Sequence, residues 1–471
     1  MSEITTADAP AARDDAWYLH HAPVGRALAH LAVPMMAATS VGVVYNVVNA
    51  GFIGSLHSTA LLAALTFGLP LTSLLMAVAG VFGTGGSAAI SRLLGRLRQA
   101  DEASAAALRS RVRNLSALTT WGAVAAGATV GALGLMFLTP VTHLLGATGD
   151  AAVPTADYLR VMLIGAPVLT AAFALEQLVR SEGAARASMT GIIISTVANL
   201  VLDVVFILVM GWGVAGAAGA MVGSNVVTVI YFLTYLHRQS PLLTASPRWL
   251  TPNRKDTLEV LSVGSSELLM MGFMTLSGVL FARVAAGYGE SALAAFGVGQ
   301  RIVQVPEMLA MGVQLGAMPM LAAAFGGGVS TRLRAGLRAS AVWVAAIVVA
   351  FFVPVLVLGQ DLLRMFSADP DVLRIGFVVL AAQLVSALFN GFTGLVTTLF
   401  QATGQAGPAA VLATVQGVLF VPLLFAGSAW VGLNGVIWAI TVTEVVCFAL
   451  AMALLATRRR QSFAGPVPAS A

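Results

Sequence analysis

STALLAALTFGLPLTSLLMAVAGVFGTGGSAAI (58–90) and ESALAAFGVGQRIVQVPEMLAMGVQLGAMPMLAAAFGGG (290–328) are two versions of one apolar theme: a small-residue and leucine opening, an internal proline and a close rich in glycine and alanine. WGVAGAAGAMV (212–222) and VGLNGVIWAIT (431–441) form a second such pair, and both offsets fall between about 219 and 231 residues. Each member of the first pair exceeds the 17 to 25 apolar residues, roughly, that cross a bilayer as a helix. The recurrence divides the chain in two. With six spans in each half, both copies enter the membrane in the same direction, a parallel repeat about an axis along the membrane normal. The polar stretch HRQSPLLTASPRWLTPNRKDT (237–257) is the natural joint. The expected class is all-α integral membrane, with twelve spans in two six-helix lobes. The segments are a tail 1–26, an N-lobe 27–238, a linker 239–256, a C-lobe 257–457 and a tail 458–471.

Composition places the chain in a membrane. Apolar residues make up 58% and charged residues 10%, mean hydropathy is +0.90, and soluble domains carry about 25% charged residues. The polar first 26 residues hold no apolar core for a cleaved leader, so targeting falls to the first span. Cys447 is the only cysteine, which excludes an internal disulfide and any multi-cysteine metal site, and the six histidines show no ligand spacing. No HExxH, GxSxG or phosphate-cradling loop is present. The glycines of GTGGS (83–87) lie inside an apolar span and suit close helix packing. An enzyme is therefore not expected.

Of the 25 Lys and Arg, 20 fall on the side of the membrane that both tails share, including Arg92, Arg96, Arg98, Arg109, Arg111 and Arg113. The positive-inside rule puts both termini in the cytoplasm. Topology accounts for the basic balance, and without aromatic interleaving or a recognition motif no nucleic acid is expected as a partner. Near-absence of Lys beside abundant Arg points to a GC-rich bacterial source, hence a bacterial inner (plasma) membrane.

Inside SMTGIIISTVANLVLDVVFILVMGWG, Asp203 follows Asn199 by one helical turn. A carboxylate at mid-bilayer costs roughly 2.5–3.5 kcal/mol on insertion scales and is kept for a partner, a proton or a cation. The spacing i, i+4 puts both side chains on one helix face, where their oxygens can hold a proton or coordinate a hard cation. The alternative is an acid permanently protonated or hydrogen-bonded between helices.

Several segments resemble the multidrug and toxic compound extrusion (MATE) family. They are YNVVNAGFIGSLHSTALLAALTFGLPL (45–71), GTGGSAAISRLLG (83–95), RSEGAARASMTGIIISTVANLVLDVVFILVMGWGVAGAA (180–218), YGESALAAFGVGQRI (288–302) and QATGQAGPAAV (401–411). The resemblance implies a V-shaped pair of lobes that exports amphipathic, often cationic compounds in exchange for sodium ions or protons. It carries the family's N-lobe cation site onto Asn199 and Asp203. The family commonly has Asp on the first span where this chain has Asn49, and often Asn on the fourth where it has Glu176. Glu176 is thus either a relocated acid or the partner of Arg180 at i, i+4.

At the C-lobe position 219 residues beyond Asp203 stands Pro422, so coupling through Asp203, Asn199, Asn49 and Glu176 is expected in the N-lobe. A metal, Na+, would sit on Asp203 and Asn199; no cofactor is expected beyond the coupling H+ or Na+. The C-lobe carries Glu267, Arg301, Glu307 and Glu444, with Arg301 the expected partner of one acid. Glu267, Met271, Gln300, Arg301 and Tyr45 are the candidate cavity residues, since methionine repacks around varied ligands. The expected protein is a monomeric cation/drug antiporter working by alternating access on small amphipathic molecules. Rival readings are a lipid-linked saccharide flippase, which would want a strongly cationic cavity, and a specific metabolite exporter of the same fold group.

Overall fold

The computed structural model describes residues 15–55, 59–251, 253–366 and 369–463, without the side chains of 46, 47, 49–55, 59–61, 63 and 356. Twelve helices among them are long and apolar enough to cross a membrane. In the first half they are α1 (Val24–Ser55), α2 (Thr59–Leu97), α3 (Glu102–Met136), α4 (Ala152–Ser181), α5 (Ala185–Asp203) and α6 (Gly213–Gln239). In the second they are α7 (Arg254–Ala286), α8 (Glu290–Gly326), α9 (Ser330–Arg364), α10 (Pro370–Ala402), α11 (Ala406–Val431) and α12 (Leu433–Thr457). The all-α, twelve-span class expected from composition and repeat is the one observed.

The repeat is written into the packing. In the first half α2 packs on α3 and α4, α4 on α3 and α6, and α5 on α1 and α6; the same pairs recur six helices later, α8 on α9 and α10, α10 on α9 and α12, and α11 on α7 and α12. Two turns repeat with it. Gly183 and Gly404 both take positive φ between spans, as do Gly211 and Gly432, and each pair is 221 residues apart (404 − 183 and 432 − 211). Only glycine adopts that backbone freely, so these positions end helices where a side chain would resist the turn.

Between the halves, α2 packs on α7 and α8, and α8 on α1. Small residues permit the approach. A Cβ on Gly95 of α2 would come within 2.1 Å of the Ala323 carbonyl oxygen of α8, and one on Gly326 within 2.0 Å of that of Arg92. These two contacts are images of each other, because 323 − 92 and 326 − 95 are both 231. Likewise a Cβ on Gly85 would stand 2.1 Å from the Val260 carbonyl oxygen and one on Gly264 1.8 Å from that of Val81, while on the other seam a Cβ on Gly316 would stand 2.6 Å from the Ala32 Cα and one on Gly312 2.6 Å from the Met36 Cα. Backbone meets backbone along two symmetry-related seams, the small-residue packing that replaces the hydrophobic effect inside lipid.

The described part of the joint is not a loose tether. Thr251 N–H donates to Asn114 Oδ1 at 3.0 Å, Trp121 Nε1 donates to the Ala245 carbonyl at 2.9 Å, and the Arg113 guanidinium lies 4.8 Å from the Trp249 ring centre. All three anchor it to α3.

Candidate functional site

Asp203 is the last residue of α5, and the backbone passes directly from it into a π-helical turn, Val204–Val209. The apolar run VVFILV offers no breaker, and the strain of the wider turn ends at Gly211 and Gly213, both with positive φ. Single π turns are rare and concentrate at functional sites. Asn199 and Asp203 share a face as expected and are buried, 6% and 4% exposed. Opposite them, the Tyr45 hydroxyl of α1 donates to Asn199 Oδ1. Tyr45 and Tyr158 of α4 both lie within electrostatic reach of Asp203. Thr72 of α2, whose hydroxyl donates to the Gly68 carbonyl at 3.3 Å, lies within electrostatic reach of the Tyr158 hydroxyl, and the Tyr158 ring lies so close to Gly68 that a Cβ there would stand 2.4 Å from it.

Four helices thus converge on one carboxylate, an amide and two phenols. No Arg or Lys forms an ion pair with Asp203 among the described residues. A buried acid without a basic partner is poised for a cation or a proton, and an all-oxygen donor set suits a hard monovalent ion better than a soft metal. Among the described residues no cluster of three or more His, Cys, Asp or Glu could hold a metal.

The structure places the expected residues unequally. Asn49 lies on α1, four residues beyond Tyr45, but its side chain is outside the described residues. Tyr45, expected in the cavity, bonds the Asp203 group instead. Glu176 is not brought to Asp203. Arg180 Nη1 holds its Oε1 at 3.0 Å, and Ser188 donates to the same oxygen at 3.4 Å. Ser188 and Asp203 are on one helix, 15 residues and about 22 Å apart along its axis. Of the two sequence readings, the geometry matches the ion pair. Tyr158 and Thr72 were missed; the signal available was a tyrosine and a threonine inside apolar spans, too common to single out.

A cavity of about 210 Å³ lies between the halves, lined by Pro70, Ser73 and Ala77 of α2 and by Leu268, Met271 and Thr275 of α7. Met271 is therefore in place. Glu267, one turn earlier, is not among the residues that line this cavity; its Oε1 accepts from Thr84 at 3.5 Å and from Gln401 of α10 at 3.4 Å. Gln300 and Arg301 are exposed on α8, and Arg301 has no ion pair with an acid among the described residues.

Past Glu267 the halves close. Arg92 of α2, 4% exposed, donates from Nη1 to the Gln401 and Ala402 carbonyls, both at 3.0 Å. These are the last carbonyls of α10, the negative end of its dipole. Its Nη2 meets Glu259 at 2.8 Å, and Arg111 joins Glu259 at 3.2 Å and Asp256 at 2.6 Å. At the same end, in the short helix Asp15–His20, burial and then Arg98 push the His20 imidazole down to about 3. It stays neutral across the physiological range.

The comparisons with known proteins agree with this architecture. The MatE family model matches residues 34–205 and 268–425. "Multidrug export protein MepA" of Staphylococcus aureus (strain MSSA476) is 32% identical over 439 residues, covering 93% of this chain and 95% of that protein. The protein of the same name from Staphylococcus saprophyticus is 32% identical over the same shares. Among solved structures, a MATE protein crystallised with MaL6 superposes with a TM-score of 0.85 at 23% identity, over 95% of this chain and all of that one. A MOP superfamily transporter from Pyrococcus furiosus does so with 0.85 at 22%, over 95% and 99%. With twelve spans in two matching sets of six and a family model spanning most of both, the chain belongs to the MATE family of efflux transporters, membrane proteins that are not enzymes.

Proposed function

We propose that the protein is a secondary active multidrug exporter of a bacterial plasma membrane, both termini cytoplasmic, working as a monomer. One H+ or Na+ entering through the Asp203 site drives out one amphipathic, often cationic molecule. The observation that carries the coupling is Asp203 itself: a buried carboxylate faced by an amide and two tyrosines, with no basic partner among the described residues. The relatives named as multidrug export proteins support the cargo class.

In this reading the two lobes, about 27–238 and 257–457, rock about the glycine seams. The state described here is closed at the end carrying Arg92, and the cavity against Met271 belongs to the side that is open. The Arg92 contacts to α10 break when the lobes rock the other way, and cation binding at Asp203 shifts the balance between the two states.

The test is transport of a dye panel by proteoliposomes under a pH gradient and, separately, a sodium gradient. Wild type should respond to one of them. The Asp203→Asn variant, which keeps the shape and loses the charge, should respond to neither while inserting and folding normally. Normal gradient-driven efflux by that variant would sink the mechanism.

A further inference from the structure

The described part of the joint between the halves walls off a cavity of about 420 Å³ against the ends of α3 and α6. It runs along the flank of α3: Thr251 is held at Asn114 and Ala245 at Trp121, positions about 10 Å apart on that helix. Arg113 of α3 and His237 of α6 line the cavity, and no Asp or Glu does. Arg111, two residues before Arg113, is taken up by Asp256 and Glu259. Arg113 forms no ion pair among the described residues and rests on the Trp249 ring. A stacked guanidinium keeps its in-plane fork of N–H groups open, the geometry that grips a phosphate with two bonds.

The loop adds donors. The N–H groups of Leu242, Thr244 and Ala245, all in the lining, meet no protein acceptor among the described residues. Arg238 and Arg248, next in sequence to His237 and Trp249, are exposed. One acid touches a lining residue from outside: Glu182 Oε2 accepts the Ser240 hydroxyl at 2.8 Å. A hollow with an unpaired cation and free donors complements an anion. Its other wall says of which kind. Leu233 and Leu236 line it, and Leu233 belongs to a stripe on α6, Val226, Ile230, Leu233 and His237, whose steps of four, three and four keep one helix face. The three apolar members are between 39% and 59% exposed, so on a membrane span they lie against acyl chains. Trp121, 39% exposed, and Trp249 stand beside the cavity, as tryptophans do where hydrocarbon meets water.

We propose that this cleft binds one anionic phospholipid, its phosphate held by Arg113, His237 and the loop N–H groups and an acyl chain lying along Val226, Ile230 and Leu233. A soluble phosphate would use the polar end of the cleft and leave the stripe unused; a lipid uses both, because the stripe runs straight into the basic end. The bound lipid ties the joint to α6 as well as to α3, at the one covalent link between the two halves. The inference rests on the joint and its membrane setting, not on Asp203, and survives if the role of that residue fails.

The experiment uses the full-length protein in phosphatidylcholine nanodiscs containing a minor share of phosphatidylglycerol, with bromine on the acyl chains of one lipid or the other. Bromine quenches nearby tryptophan, so Trp121 and Trp249 report occupancy. Brominated phosphatidylglycerol should quench more than an equal share of brominated phosphatidylcholine. That excess should vanish in Arg113→Gln/His237→Gln and shrink in Leu233→Gln. It should survive in Arg458→Gln/Arg459→Gln, which removes two basic groups from exposed positions outside the cleft. Thermal unfolding curves check that each variant is folded, and Arg113→Lys, which keeps the charge and loses the fork, offers a milder change that should keep only part of the excess. The proposal is overturned if wild type shows no excess, if the excess survives Arg113→Gln/His237→Gln, or if Arg458→Gln/Arg459→Gln loses it equally, which would leave only a diffuse attraction of anionic lipid. Abolition of the excess by soluble glycerol phosphate would overturn it too, by making the cleft a site for free phosphates.

Discussion

The two halves of the molecule share a skeleton and differ in what they bury. Helix pairs, terminating glycines and the glycine seams repeat with offsets of 219 to 231 residues, yet the ionisable groups do not follow. Asp203 has Pro422 as its counterpart at the 219-residue offset and Leu424 at the 221-residue offset of the flanking glycines, neither of them ionisable; Glu444 has Asn225 at 219, and Arg92 has Ala323, the residue whose carbonyl Gly95 faces. Apolar packing must be satisfied in both halves for the bundle to stand, so it repeats. A buried charge, whether inside a span as at Asp203 or at the closed end as at Arg92, costs too much to be duplicated without use, so each one marks a place where the halves have separate tasks.

The largest effect expected from that asymmetry is at Asp203. Asp203→Asn should bring gradient-driven efflux down to the protein-free background, whereas Pro422→Ala at its counterpart should leave coupling intact; equal losses from both would erase the functional difference between the halves. Glu176→Gln sharpens the point within the first half. It should lower the unfolding midpoint, because Arg180, 1% exposed, loses its charged partner at a cost of roughly 1–3 kcal/mol. The ratio of coupled to uncoupled transport should not move.

Arg92→Met comes next. It removes three hydrogen bonds from the closed end and costs the closed state roughly 2 kcal/mol, below the full buried-pair penalty because Glu259 is about one-third open to solvent. A cysteine probe placed at the Arg92 end, in a Cys447→Ser background, should then label faster in the variant. No change in labelling would mean that Arg92 is structural and not a lock. The seams offer a symmetric control. Gly264→Ala and Gly312→Ala each force a Cβ against backbone, so both should favour opening by about 1–3 kcal/mol. An effect of one without the other would show that the two seams are not equivalent hinges.

Much of this was legible from residues alone, for reasons that can be named. Repeated small-residue segments betray a repeated bundle because only they allow helices to touch in lipid, and Asp203 betrays itself by its insertion cost. The partners were not legible. Tyr158 and Thr72 are ordinary inside a span, and nothing local shows that α4 and α2 turn them toward Asp203. Glu444 and Gln416 lie on different helices, so each reads as a lone polar residue until the bundle joins them at 2.6 Å. Glu176 had two readings of equal standing because an i, i+4 partner and a neighbouring helix compete for the same acid, and only the 15-residue gap along α5 from Ser188 separates them.

Thr72→Val carries the smallest effect and tests the part of the site that sequence did not reveal. The change is nearly isosteric and leaves Tyr158 packed on Gly68, so the unfolding midpoint should hardly shift. What is lost is a hydroxyl that donates to the Gly68 carbonyl at 3.3 Å and stands within electrostatic reach of the Tyr158 hydroxyl, a polar contact worth about 1 kcal/mol net. If that contact serves the bound cation, apparent affinity for the driving ion should fall by about fivefold, with the maximal rate of efflux unchanged. An unchanged affinity would confine Tyr158 to packing and reduce the site to Asp203, Asn199 and Tyr45. A fall in rate without a fall in affinity would instead place Thr72 on the cavity side of α2, with the drug and not the ion.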